Sequence, residues 1–143
     1  MEDKIFGSSG LNVVIEEYLI GPEVSVLCFT DGKTISPMVT SMDHKRANDN
    51  DEGLNTGGMG TVAPNPYYTQ EISDICMEKI FIPTIEAMNS ENRKFKGCLY
   101  FGLMLTEEGP KVIEYNCRFG DPETQVVLPL LDTDLLTVFE AVI

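Results

Sequence analysis

The sequence predicts an α+β fold: a mainly antiparallel sheet with helices on one side. Three observations carry this. Asp31-Gly32 stands between two β-prone runs and is a strong two-residue hairpin signal. A second pair of β-prone runs, 95–105 and 111–117, is joined by Thr106-Glu107-Glu108-Gly109-Pro110, a Gly-containing hairpin loop. Between these hairpins, Ile72, Ile75, Cys76, Ile80 and Met88 recur at helical spacing.

Taken in order, residues 12–20 read as a strand, because Val13, Val14 and Ile15 are β-branched and Gly21-Pro22 ends the run. Residues 23–30 (EVSVLCFT) are apolar and β-prone, and the Asp31-Gly32 turn returns the chain into Lys33-Thr34-Ile35. Residues 43–60 are rich in Asp, Asn and Gly, lack apolar periodicity, and read as a long loop of the functional or disordered kind. The helix over 69–88 has Thr69 as its N-cap, and Pro83 must kink or divide it. In Asp121-Pro122-Glu123, Asp is placed to cap, Pro to open and Glu to fill the first turn of a short helix that ends at Pro129. Asp132 or Asp134 caps a last helix. No internal repeat or linker interrupts the chain.

The bulk properties exclude several classes. Of 143 residues, 43% are hydrophobic and 23% charged, the profile of a folded chain. No apolar run reaches the roughly 20 residues that span a bilayer. The start, Met1-Glu2-Asp3-Lys4-Ile5, lacks the features of a signal peptide. A cytoplasmic protein, with no membrane partner, is expected. The net charge of −13 repels nucleic acid, and its plain meaning is solubility. Two of the ten cations stand together at Lys45-Arg46, where an anionic ligand would need them. Cys28, Cys76, Cys98 and Cys117 sit singly without zinc-type spacing and read as small buried hydrophobes in a reducing compartment. The chain stops at 138–143 inside an apolar-periodic helix with no Gly or Asn to close it, so an excised fragment is expected.

The chemistry concentrates in 112–123. On an extended strand Glu114, Asn116 and Arg118 share one face, with Ile113, Tyr115 and Cys117 on the other. A carboxylate and an amide oxygen two residues apart suit Mg²⁺, which takes hard oxygen ligands and shares its shell with phosphates. An Arg beside them can stabilise a moving phosphoryl group. By spacing alone, a solvent-facing strand with a mixed polar face is an equally open reading. Gly57, Gly58 and Gly60 let backbone N–H groups approach an anion, although a plain turn also accounts for them. The single histidine, His44, suits a general base by type and a loop-shaping role by position. Met77, Met88, Met104, Phe81, Phe101 and Phe119 read as core or pocket wall.

Glu114-x-Asn116-x-Arg118 resembles the metal-binding strand of ATP-grasp enzymes, and NCRFGDPE over 116–123 resembles the glycinamide ribonucleotide synthetase branch of that family. Asp43-His44-Lys45-Arg46, Asn55-Thr56-Gly57-Gly58-Met59-Gly60 and Glu16-Glu17-Tyr18-Leu19 fit the same branch, in order and in register. The resemblance implies the C-terminal part of an ATP-grasp fold. Residues 1–143 would be a partial ATP-grasp domain, without the N-terminal Rossmann-like domain and the C-terminal domain of the longer enzyme. It implies ligation of glycine to 5-phosphoribosylamine through glycyl phosphate, with ATP and Mg²⁺ (or Mn²⁺), in purine biosynthesis. The roles implied are Glu16 and Leu19 at the adenine edge, and Glu23 on the ribose hydroxyls. Arg46 and Asn55 would meet phosphate, Glu114 and Asn116 the metal, and Arg118 the acyl-phosphate transition state. Gly57, Gly58, Asp43 and Asp121 would meet substrate. Glu23 is also readable as an ordinary strand-edge charge, and Asp121 as a helix cap. The strand 99–105 has no acid where many ATP-grasp enzymes carry a second metal carboxylate, a departure this branch shares. The fragment alone is expected not to turn over.

Rival readings are a different ATP-grasp ligase or carboxylase, and, from another class, a non-catalytic acidic domain binding a cation or a partner through 43–60. The latter loop carries Asp49, Asp51 and Glu52 without EF-hand spacing.

Overall fold

The computed structural model describes residues 7–143, apart from the side chain of Asp51. The opening Met1-Glu2-Asp3-Lys4-Ile5, read above for a leader, lies outside the described residues. The strands are β1 (Glu23–Thr30), β2 (Ile35–Pro37), β3 (Met42–Asp43), β4 (Arg46–Asn48), β5 (Glu52–Asn55), β6 (Thr61–Val62), β7 (Gly97–Thr106) and β8 (Gly109–Asn116). The helices are α1 (Gln70–Cys76), α2 (Ile82–Ser90), α3 (Glu123–Val127) and α4 (Leu135–Val142). No helix among the described residues is long and apolar enough to cross a membrane.

A four-stranded antiparallel sheet in the order β2-β1-β7-β8 is the frame. Seven consecutive residues of β1 are buried, because both faces of this central strand are covered. Val24, Val26 and Cys28 join Leu99, Phe101 and Leu103 of β7 in a core under α1 and α2, centred on Phe81, whose ring lies 4.5 Å from that of Phe101. Leu27, Phe29, Cys98 and Tyr100 form a second core with Val127 of α3 and residues of α4. The α+β class and the antiparallel sheet are as expected; the placing of helices on one side is corrected. Apolar residues on both faces of β1 and β7 each need cover, so α1 and α2 take one face and α3 and α4 the other.

The first hairpin forms, but through four loop residues: Thr30 pairs with Ile35. Asp31 closes the loop by accepting from the backbone N–H of Lys33 at 2.8 Å and Thr34 at 2.7 Å. The N–H of Thr34, then that of Lys33, hold the exposed Asp31 carboxyl below the usual range. The second hairpin turns on Glu107 and Glu108 alone, with Thr106 paired to Gly109.

The helix of 70–90 is continuous. Thr69 Oγ1 accepts from the Ile72 N–H at 3.3 Å, as its N-cap position predicts. Pro83 has no N–H to give, and the wide turn Met77–Phe81 absorbs that just upstream as a π-helical stretch. The helix closes with Asn92 at φ 56° and the Arg93 N–H bonded to Met88 O at 2.9 Å. Asp134, rather than Asp132, caps α4 through the Thr137 N–H at 2.9 Å.

Three expectations are corrected. Residues 12–20 form no strand, and Val14, Ile15 and Tyr18 are exposed. A strand needs a neighbour, and none of the described residues pairs with this segment. It is tied instead by Glu17 to Lys111 at 3.0 Å, and by Pro22 O accepting from the Leu105 N–H at 2.9 Å. The span 43–60 is not an irregular loop: β3 pairs with β6, and β4 with β5, giving two ribbons nested in sequence. Asp121 does not cap α3, which begins at Glu123 with no side-chain cap. Its Oδ1 accepts from Gln125 Nε2 at 2.7 Å, while Gly120 O takes the Thr124 N–H at 3.2 Å.

Candidate active site

Glu23, at the head of β1, is where three adjoining hollows meet. A cleft of about 510 Å³ is lined by Leu19, Glu23, Asp43, Lys45, Arg46 and Asn55 among others. A second, of about 320 Å³, is lined by Glu16, Leu19 and Glu23 together with Lys111 and Ile113. A small third hollow joins Glu23 and Lys45 to Tyr100, Gly102 and Glu114. Six residues singled out from sequence (Glu16, Leu19, Glu23, Asp43, Arg46 and Asn55) therefore line two neighbouring clefts, with Glu114 at their inner edge.

The β3–β6 and β4–β5 ribbons bring the cations in. Arg46 and Asn55 are register partners on β4 and β5. The Arg46 guanidinium is braced by donating from Nη1 to Gly53 O at 2.8 Å. Lys45 Nζ pairs with Glu23 Oε2 at 2.7 Å, both partly exposed. Burial opposes the charge on Lys45, yet the bond to Glu23 and the carboxylates of Glu23, Glu114 and Asp43 together lift its pKa above the ordinary value. Lys45 was not among the residues singled out for a role; its pairing with Arg46 in an acidic chain was the available signal.

Glu114, Asn116 and Arg118 lie side by side. Asn116 Nδ2 donates to Glu114 Oε1 at 3.2 Å, and Arg118 Nη2 reaches Asn116 Oδ1 at 3.5 Å. Arg118 Nη1 also donates to Phe119 O at 2.8 Å. A bulge lies just before these residues: Gly102 faces Glu114 while Leu103 faces Val112, so Ile113 is the extra residue. Gly102 leaves the room. A Cβ there would stand 2.9 Å from Glu114 Cγ and 3.5 Å from Tyr100 Cε1. A glycine inside an apolar strand is itself a sign of close approach. Tyr115 points away, its ring 5.4 Å from that of Phe101.

Asp43 sits beneath the Asn55–Gly60 turn. A Cβ on Gly58 would meet Pro122 Cδ at 2.8 Å and Asp43 Oδ1 at 3.0 Å, and Gly58 has φ 126°, so only glycine fits there. Asp43 Oδ1 is buried without a hydrogen-bond partner. Burial first, then the nearby Glu123, raise the Asp43 pKa, and Lys45 only partly offsets them. Gly57 is exposed with nothing close to it, and Asp121 is exposed and paired with Gln125; neither lines a cleft.

A divalent metal has a donor pair here. Glu114 offers a carboxylate and Asn116 an amide, the amide Nδ2 donating to Glu114 Oε1 and its Oδ1 turned toward Arg118, and the described residues hold no group of three or more His, Cys, Asp or Glu that could bind an ion. That thin, oxygen-only set fits a cation that completes its shell with water and phosphate.

The family model described as "Phosphoribosylglycinamide synthetase, ATP-grasp (A) domain" matches residues 1–124. A trifunctional purine biosynthetic protein adenosine-3 of Gallus gallus is 54% identical across 100% of this chain, which spans 14% of that protein. A phosphoribosylamine–glycine ligase of Caldanaerobacter subterraneus is 51% identical over 99% of this chain and 34% of its own length. The crystal structure of a phosphoribosylamine–glycine ligase from Thermotoga maritima superposes with a TM-score of 0.72 at 36% identity, over 80% of this chain and 29% of that one. The chain thus spans between 14% and 34% of these relatives' lengths. The fold is ATP-grasp, and the chain belongs to the phosphoribosylglycinamide synthetase ATP-grasp (A) domain family.

Proposed function

We propose that this chain carries the nucleotide- and metal-binding face of a ligase that joins glycine to 5-phosphoribosylamine at the expense of ATP. The single observation that carries the reading is the contact of Glu114, Asn116 and Arg118 beside the Glu23–Lys45 cleft. The relatives' names support the substrates, and their greater length supports a partial ATP-grasp domain that works within a longer polypeptide.

In this reading Glu16 and Leu19 take the adenine edge, and Glu23 takes the ribose hydroxyls. Lys45, Arg46 and Asn55 flank the phosphates along the same cleft. Glu114 and Asn116 would hold Mg²⁺ or Mn²⁺, which would supply neutralisation of phosphate charge. Asn116 donates its Nδ2 to Glu114, so its amide would have to rotate for its oxygen to serve as a ligand beside the carboxylate. Arg118 stabilises the charge that builds on the phosphoryl group as the glycine carboxylate attacks it. The amine of 5-phosphoribosylamine then displaces phosphate from glycyl phosphate. The reading assigns substrate contact to Asp43, Gly57, Gly58 and Asp121, of which Asp43 lines the larger cleft.

The test is ADP release by the full-length polypeptide. Release that requires both glycine and phosphoribosylamine, and is indifferent to bicarbonate, is expected. Release driven by bicarbonate would transfer the chain to the carboxylase branch.

A further inference from the structure

One ionisable side chain of the motif 116–123 has no part in the scheme above. Glu123 is only 4% exposed, and it reaches away from its own helix into the sheet. Its Oε1 accepts from Tyr100 OH of β7 at 3.1 Å and from Ser25 Oγ of β1 at 3.3 Å, and those two hydroxyls lie 2.8 Å apart. Three elements distant in sequence are thus tied at one oxygen. A helix-opening Glu that merely favoured the helix N-terminus would face solvent.

The turn from Arg118 to Pro122 folds over this carboxyl. A Cβ on Gly120 would lie 2.2 Å from Glu123 Oε2, so the backbone rests directly on the side chain. Phe119 fixes the near side of the same turn, its ring 5.9 Å from that of Phe29. Pro122 fixes the far side against Gly58 and, through it, the buried Oδ1 of Asp43. The Arg118 guanidinium is in turn braced on Phe119 O, a carbonyl of this turn. A group placed by a turn is only as well placed as the turn's anchor.

We propose that Glu123 is the positioning residue of the site: its carboxyl, held by Tyr100 and Ser25, fixes the 118–122 turn and so aims Arg118 at the phosphoryl group and seats Gly58 over Asp43. The inference rests on the ligase reading for what Arg118 does, but not for what holds the turn.

Glu123→Ala and Glu123→Gln in the full-length polypeptide test it, with thermal unfolding recorded for each so that rates are compared among folded samples. Glu123→Ala is expected to lower kcat about 100-fold with the KM for ATP changed less than about 3-fold, since the adenine and ribose contacts lie elsewhere. Glu123→Gln keeps an acceptor oxygen for both hydroxyls and is expected to recover kcat to within about 5-fold of wild type. Hydrogen exchange supplies the second arm: in Glu123→Ala the Gly120 and Thr124 amides should exchange about 10-fold faster while those of β1 and β7 keep their rates. Equal loss in both variants, a loss carried by the KM for ATP, or unchanged kcat in the Ala variant overturns the proposal. If wild type itself releases no ADP with glycine, the ligase reading falls. The exchange arm then decides the anchor alone, and unchanged turn amides reject it.

Discussion

Replacing Gly102 by Ala separates the site from the scaffold, because the two should respond in opposite directions. The added Cβ would stand 2.9 Å from Glu114 Cγ, where ordinary contact begins near 3.4 Å, while its other neighbours, Tyr100 Cε1 at 3.5 Å and Glu114 O at 3.6 Å, are at ordinary distance. Glu114 must therefore yield by about 0.5 Å or more at Cγ, and further at its carboxylate. The side chain is exposed, so it can swing at small cost, about 1 kcal/mol or less. Ala in place of Gly inside a strand returns about 0.5–1 kcal/mol through the unfolded chain. Net stability should thus stay within about 1 kcal/mol of wild type. A metal ligand displaced on that scale should cost about 10- to 100-fold in kcat. The assay pairs glycine-dependent ADP release with a urea unfolding curve on the same full-length preparation. Activity within about 2-fold of wild type, with the fold intact, would refute the claim that Gly102 makes room for a working Glu114.

Other consequences can be checked together. Glu114→Gln should lower kcat by about 100-fold or more, with little change in the unfolding midpoint, because this exposed side chain supports no core contact. Asp43→Asn should stabilise the fold at neutral pH while impairing ligation. The Asp43 pKa is raised in the folded state, so the unfolded chain gives up its proton first, and the wild type loses stability as pH climbs above the unfolded value of 3.8. The advantage of Asn should vanish when unfolding is measured below that pH. A thiol reagent should modify Cys117 rapidly in the native protein, and Cys28, Cys76 and Cys98 only on unfolding. Cys117 is exposed, which corrects its reading from sequence as a small buried hydrophobe, and the other three are buried, burial raising the Cys98 pKa to about 12.

The sheet was legible because its signals are local. The β-prone runs around Asp31 and around Glu107-Glu108, the Thr69 cap and the Pro83 perturbation all depend on neighbours within a few residues. The spacing of Glu114, Asn116 and Arg118 survived the bulge at Ile113 because the bulge precedes all three. Elements that depend on distant partners were misread. Residues 12–20 have strand composition, yet nothing described pairs with them, and composition cannot supply a partner. The ribbons within 43–60 are held by single backbone bonds such as His44 N–H to Gly60 O at 2.8 Å, which leave no apolar periodicity to read. Glu123 looked like a helix-opening acid, since the Tyr100 and Ser25 hydroxyls that claim it lie 23 and 98 residues away.

The central claim is that Glu114 and Asn116 present their oxygens to one divalent ion beside Arg118. Anomalous diffraction from crystals of the full-length polypeptide with Mn²⁺ and a non-hydrolysable ATP analogue tests it most directly. A manganese peak bridging the two side chains and the terminal phosphates is the predicted result. A peak held by phosphates and water with both side chains turned away would contradict it.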